Sequence, residues 1–341
     1  MIRSTLRSMV GRGADLGRAR GVRPDVALPF DMFDELRTPT DDAVAAKLAG
    51  IYHKGQRKAW DGKELLAELC ARHGHPALDD RQREALQGLF AIILWGELAA
   101  WKVSAELALQ LEPLEAKMAA TSQAHDEARH FYVMHDYLAL LGPVPRGLGP
   151  ATTRVLTGTL RADTLTKKLV GMQMMIEPMA LALFHLVRKS RVEPVLCELV
   201  ASFERDEARH VALGVLHLPR LLRGMSTAEA IDLWRWEFGE YWAQLAMLEE
   251  IEPHLAAIGL DVHDVIEVGR QRQLRANQLL AEELGAPLPV IAAFLRFFDA
   301  RVAWRWPADP RAGVRDRLFA AFEAARHGAA GPAPDLTELR A

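Results

Sequence analysis

Apolar residues recur at spacings of three and four along most of the chain, and strict alternation of apolar with polar residues is rare. No Asn-Gly or Asp-Gly turn joins two β-patterned runs, so hairpins are not expected. The pattern predicts two short helices near 41–58 and 62–73. Four long helices follow near 80–111, 114–141, 162–190 and 194–222, then four more near 227–257, 262–284, 288–303 and 310–326. An irregular arm is expected up to Thr40 and a flexible tail from 328 to 341. The segment from Gly142 to Pro150 carries the strongest break signals and reads as a linker between two pairs of long helices. The expectation is one all-α domain over 41–327, with its core in residues 80–222.

Composition narrows the setting. The 341 residues carry a net charge of −3, which gives no reason to expect nucleic acid or an anionic membrane as partner. Cys70 and Cys197 are the two cysteines and neither has a CxxC partner, so a reduced, cytoplasmic protein is expected. The first 23 residues hold six arginines and one acidic residue, Asp15, and read as a basic tail rather than a secretory signal. The stretch from Leu169 to Val187 is apolar enough to span a bilayer, but Glu177 sits near its middle and Pro178 follows. A lone carboxylate is costly in lipid, so the stretch reads as a buried helix of a soluble bundle.

The chain writes one pentapeptide twice. Asp126-Glu127-Ala128-Arg129-His130 returns 80 residues later as Asp206-Glu207-Ala208-Arg209-His210. Residues three apart share a helix face, so Glu127 with His130 can aim at one centre, and Glu207 with His210 likewise. A carboxylate with an imidazole suits iron, manganese or zinc. Bundles that hold two metals use this pair on two helices and a single Glu on each of the other two. Two such glutamates are present. Glu97 lies 30 residues before Glu127 and Glu177 lies 30 before Glu207, each alone in an apolar run where a carboxylate needs a partner.

The turns agree with this pairing. In an antiparallel helix pair, positions equidistant from the turn lie level. The midpoint of Glu97 and Glu127 falls at Glu112-Pro113, and that of Glu177 and Glu207 falls beside Glu193-Pro194. Proline is favoured where a helix begins. Fifteen residues at 1.5 Å put each site roughly 22 Å from its turn. Histidine ligands usually donate their other N–H to a carboxylate, so Asp126 and Asp206 are expected to reach the histidine of the opposite repeat. Arg129 and Arg209 would neutralise them or form surface ion pairs.

The pattern Glu97…Glu127-x-x-His130…Glu177…Glu207-x-x-His210 resembles the ferritin-like di-iron carboxylate superfamily. It is closest to the branch of ribonucleotide reductase small subunits, acyl-carrier-protein desaturases and di-iron oxygenases. The resemblance covers 80–222. It implies a ferritin-like four-helix bundle, here with added N- and C-terminal helices, and a centre of two metal ions ligated by Glu97, Glu127, His130, Glu177, Glu207 and His210. Iron–iron is the first expectation and manganese–iron the second. Three departures count. Met134 stands where reductase subunits carry a radical tyrosine. Ala180 and Leu181 stand where desaturases carry a threonine. Met172 stands where ligand-binding oxidases carry a cross-linked tyrosine.

The function expected is O2-dependent oxidation of a mostly apolar organic substrate, free or carried on another protein, by hydroxylation, desaturation or N-oxygenation. An external electron donor is implied, because no nucleotide fingerprint appears. Met134, Met174, Leu181 and the side-chain-free Gly214 are the expected substrate pocket. The alternatives are a radical-generating subunit, a ferroxidase or iron store without organic substrate, or a scaffold without activity. Helices 227–326 would cap the entrance or form a homodimer interface.

Overall fold

Eleven helices and no strand make up the described residues, 43–286 and 289–327, of the computed structural model. The expected N-terminal arm and C-terminal tail lie outside those residues. Four helices form the central bundle: α3 (Asp80–Gln110), α4 (Leu114–Leu141), α6 (Leu165–Ser190) and α7 (Pro194–Arg223). Before them come α1 (Ala43–Lys58) and α2 (Gly62–His73), which pack on α4 and α7. The short α5 (Pro150–Leu160) and α8 (Thr227–Ala257) lie against α3, and α9 (Val262–Leu284) packs on α6 and α7. The last two are α10 (Pro289–Arg305) and α11 (Val314–His327).

Burial explains the order. One apolar cluster joins Phe90, Leu138, Phe184, Val195 and Phe203, and a second joins Leu107, Ala116, Met172, Leu213 and Leu218. The α3–α4 turn abuts the second cluster and the α6–α7 turn abuts the first, so the two helix hairpins point in opposite directions. Residues between α4 and α6 must therefore cross the length of the bundle, the single long crossover of ferritin-like bundles. Helices α3 and α6 are each long and apolar enough to cross a membrane. Both belong to the bundle, with 56% and 78% of those stretches buried in protein.

Helix ends follow local chemistry, with two differences from expectation. Pro194 opens α7, whose first amides are capped by the Glu193 carboxylate, while Pro113 sits one residue outside α4 as its N-cap. The segment beyond Gly149, expected to lead straight to α6, first forms α5. Its N-terminal amides at Ala151 and Thr152 donate to the Glu250 carboxylate of α8, at 2.7 and 3.0 Å. Inside α6, residues Val170–Ile176 are π-helical, and the Glu177 amide donates to Met172 five residues back. Pro178 lacks an N–H, so the ladder is already broken there. The side-chain amide of Gln273 donates to the Met175 carbonyl at 3.3 Å. Single π turns of this kind concentrate at functional sites.

Candidate metal centre

Between the two apolar clusters lies a layer of acids and imidazoles. Glu97 on α3, Glu127 and His130 on α4, Glu177 at the end of the π turn, and Glu207 and His210 on α7 are all buried. They form two overlapping four-residue groups. Glu97, Glu127, His130 and Glu207 make one, and Glu127, Glu177, Glu207 and His210 make the other, with donor atoms in each within 4.8 Å of one another. Glu127 and Glu207 belong to both. All six residues singled out in the sequence meet here.

Both histidines turn Nδ1 inward. His130 Nδ1 stands 3.3 Å from Glu97, 3.5 Å from Glu127 and 3.3 Å from Glu207. His210 Nδ1 stands 3.0 Å from Glu127, 2.7 Å from Glu207 and 3.8 Å from Glu177. The Nε2 atoms point outward to aspartates of the opposite repeat: His130 lies 3.2 Å from Asp206 and His210 lies 3.4 Å from Asp126. An N–H committed to an aspartate leaves the inner nitrogen with a free lone pair.

Around the aspartates runs a closed ring of charge. Arg129 donates to Asp126 at 2.6 Å and to Asp206 at 2.8 Å, and Arg209 donates to the same two at 2.7 and 2.8 Å. Both arginines are buried, so these are interior pairs rather than surface ones. Trp60 of the α1–α2 connection adds a third donor to Asp206 at 2.8 Å, and its ring lies under the Arg129 guanidinium. The Phe203 ring stacks on His130 with centroids 4.1 Å apart.

The electrostatics call for cations. Burial pushes the Glu97 carboxyl well above the ordinary range against the pull of His130, and burial with the nearby Glu207 and Glu127 does the same to Glu177. For Glu207, burial and Glu127 push up, but His210 and the hydrogen bond with Glu177 bring it to about 2. In the state able to ligate, with all four carboxyls ionised and both imidazoles neutral, the six side chains would carry a charge of minus four, which two divalent ions would cancel. Two buried atoms inside the cluster, Glu127 Oε2 and His130 Nδ1, have no hydrogen-bond partner. Buried polar atoms are ordinarily satisfied, so orphans facing one point fit a metal better than a hydrogen-bond network. Carboxylate oxygens with imidazole nitrogens are a donor set for iron, manganese or zinc.

The expected pocket residues fall elsewhere. Met134 is wholly buried in one apolar cluster and Met174 in the other, Leu181 is buried, and the space beside Gly214 is taken by Gln173, whose Cβ would lie 2.6 Å from an added methyl. None of the four lines the cavity that adjoins the acids. That cavity, about 80 Å³, has Glu97 and Glu177 in its wall and is otherwise lined mainly by Leu89, Ile93, Gly96, Ile176, Ala180, Leu183 and Leu248. From Glu97 back to Leu89 the wall runs about 12 Å along α3. Met179, Gln244 and Leu248 separate it from a second cavity, about 60 Å³, under α10.

Sequence reasoning passed over two amides. Gln123 Nε2 donates to Glu127 and to Glu177, both at 3.0 Å, and Gln173 Nε2 donates to Gln123 Oε1 at 3.0 Å. Their signal was available: each stands four residues before a glutamate of the cluster, on the same helix face.

Among solved structures, the chain is similar to a protein with aldehyde deformylating oxidase activity from Synechococcus. They share 16% identity and a TM-score of 0.52, over 63% of this chain and 97% of that one. A metal-free R2-like ligand-binding oxidase matches at 16% identity and a TM-score of 0.53, over 67% and 96% of the two chains. A tyrosine-to-phenylalanine mutant of such an oxidase, with an aerobically reconstituted Mn/Fe cofactor, matches at 17% and 0.52, over 73% and 99%. At these identities the likeness is one of fold: the chain has the ferritin-like helical fold of these oxidases. No protein-family model and no curated protein matches the sequence.

Proposed function

We propose that the protein is a dimetal carboxylate oxidase that uses O2 to oxidise an apolar organic substrate. The observation that carries this is the pair of four-donor groups sharing Glu127 and Glu207. In this reading Glu127 and Glu207 would be shared by two ions, Glu97 and His130 would complete one position, and Glu177 and His210 would complete the other. Iron at both positions is the first expectation and manganese–iron the second, and the carboxylate-rich set accommodates either. Two such ions in their reduced state would supply electrons to O2. The chain's own part is to position and insulate. Asp126 and Asp206 hold the imidazoles with Nδ1 inward, and the arginine ring keeps those aspartates ionised. The apolar cavity lets a hydrophobic group lie against Glu97 and Glu177 while excluding water.

The substrate would be a mostly apolar molecule, free or carrier-borne, and a separate protein or small reductant would return the electrons. A cytoplasmic setting suits the unpaired thiols of Cys70 and Cys197. A radical-generating or iron-storing role is the second reading, and the apolar cavity beside the acids favours the first, since storage needs a polar ion path. The test is to load anaerobic protein with ferrous iron and mix it with O2, following oxygen uptake and the optical spectrum. Uptake matched to the protein, with a transient band whose decay quickens when an apolar substrate fills the cavity, supports the proposal. Oxidation of many irons per chain with no effect of any organic compound would favour storage. Protein inert to O2 would sink both.

A further inference from the structure

The two repeats are not equal around the acids. Eighty residues after Gln123 the chain has Phe203, and eighty before Gln173 it has Ile93. So the half of the cluster with Glu177 and His210 carries two side-chain amides, while the half with Glu97 and His130 carries a stacked phenyl ring and a cavity wall. We infer that Gln123, oriented by Gln173, pre-sets the metal position bounded by Glu177 and His210, which fills first, and leaves the Glu97–His130 position to fill second. This rests on reading the cluster as a dimetal centre.

The chemistry fixes the amide's orientation. Facing two carboxylate oxygens, Gln123 must present Nε2, whose two hydrogens serve Glu127 Oε1 and Glu177 Oε1. Its Oε1 then accepts from Gln173. One helix pair is thereby tied to the other by a side chain with no freedom left. Glu177 and Glu127 are held level before any ion arrives, and the Glu127 oxygen left over is the orphaned Oε2. The nitrogen nearest Glu97 is the inward Nδ1 of His130, 3.3 Å away, which carries a lone pair rather than a proton when Nε2–H serves Asp206, so Glu97 must be ordered by the ion itself. An aspartate stands behind each histidine, and the one difference there, the Trp60 donor on Asp206, acts behind His130 and does not reach Glu97. Prior ordering of ligands lowers the cost of binding. Removal of a group that holds a metal ligand typically costs 10–100-fold in metal affinity.

The experiment is a manganous titration of the full chain, read by calorimetry and by electron paramagnetic resonance. Wild-type protein is expected to take one ion about tenfold or more tighter than the other, with the hyperfine pattern of an isolated ion at one equivalent and a coupled signal only as the second is added. Gln123→Leu should weaken the first ion by about 10–100-fold and leave the second, so that coupled pairs appear at one equivalent. Glu97→Gln should keep the first affinity and Glu177→Gln should lose it. If Gln123→Leu does not fold, Gln173→Leu carries the test and must weaken the first ion alone. Two ions bound by wild type with equal affinity, or with an affinity order unmoved by these variants, would overturn the inference and leave the dimetal reading standing. No manganous binding by wild type would overturn both.

Discussion

Removing one arginine of the buried ring should destabilise the protein far more than a surface ion pair would. Take Arg209→Met, which keeps the bulk and deletes the charge. The wild-type ring balances two guanidinium groups against Asp126 and Asp206, with all four contacts between 2.6 and 2.8 Å. In the variant one guanidinium faces two buried carboxylates. Breaking a buried pair in this way costs about 3–5 kcal/mol, because the stranded charge has nowhere to be solvated. At about 2–4 °C per kcal/mol, Tm should fall by about 6–20 °C. The loss should depend on pH with a fixed sign. Burial alone would raise Asp126, but the His210 hydrogen bond and its charge hold it at about 2, and the same kinds of contact, from His130 and both arginines, hold Asp206 lower still. A carboxylate depressed in the folded state adds stability above its unfolded pKa, near 4, and gives it up as pH falls toward the folded value. The gap between wild type and variant should be full at pH 7 and narrow below about pH 4. Urea unfolding of chelator-treated protein, followed by circular dichroism at several pH values, measures it without interference from metal. A loss under about 1 kcal/mol, or one that does not change with pH, would refute the reasoning.

Other variants probe the shared acids, the cavity and the amide pair. Glu207→Gln alters a ligand of both positions, so metal content by mass spectrometry should fall at both, whereas Glu97→Gln should lower only one. Gly96 lines the cavity and has nothing within 4 Å of an added methyl. Gly96→Ala should therefore raise stability by about 0.4–1 kcal/mol in thermal unfolding, through a stiffer unfolded chain. Gly96→Phe should fill the cavity, leaving metal content unchanged while abolishing any effect of apolar compounds on the O2 reaction. Gly214→Ala drives a methyl into Gln173 and should cost about 1–3 kcal/mol in the same unfolding assay.

What the sequence revealed depended on how local the cause was. Six acids and histidines could be read because an i, i+3 pair, a lone Glu in an apolar run and a turn at the midpoint are all local signals. The crossover helix α5 could not. Its threonines, four among residues 150–160, are poor helix formers, and its N-terminal amides are capped by Glu250 from α8, a partner nearly a hundred residues away. Met174 and Leu181, named for the pocket, lie off the cavity beside the acids for a related reason. A π turn inserts one extra residue and rotates everything before it by about 100° relative to everything after it. Met174 lies inside that turn and Ala180 beyond it, so a plain helical wheel centred on Glu177 puts the wrong faces together. Gln123 and Gln173 were visible at i−4 from two glutamates, but a lone amide has no chemistry until its acceptor across the bundle is known.

The most direct test of the central claim is anomalous diffraction from crystals of the protein loaded with iron. The account expects two peaks per chain about 3.5–4 Å apart, one among Glu97, Glu127, His130 and Glu207 and the other among Glu127, Glu177, Glu207 and His210. A single peak, or density at the iron edge anywhere other than between the two DEARH segments, would contradict it.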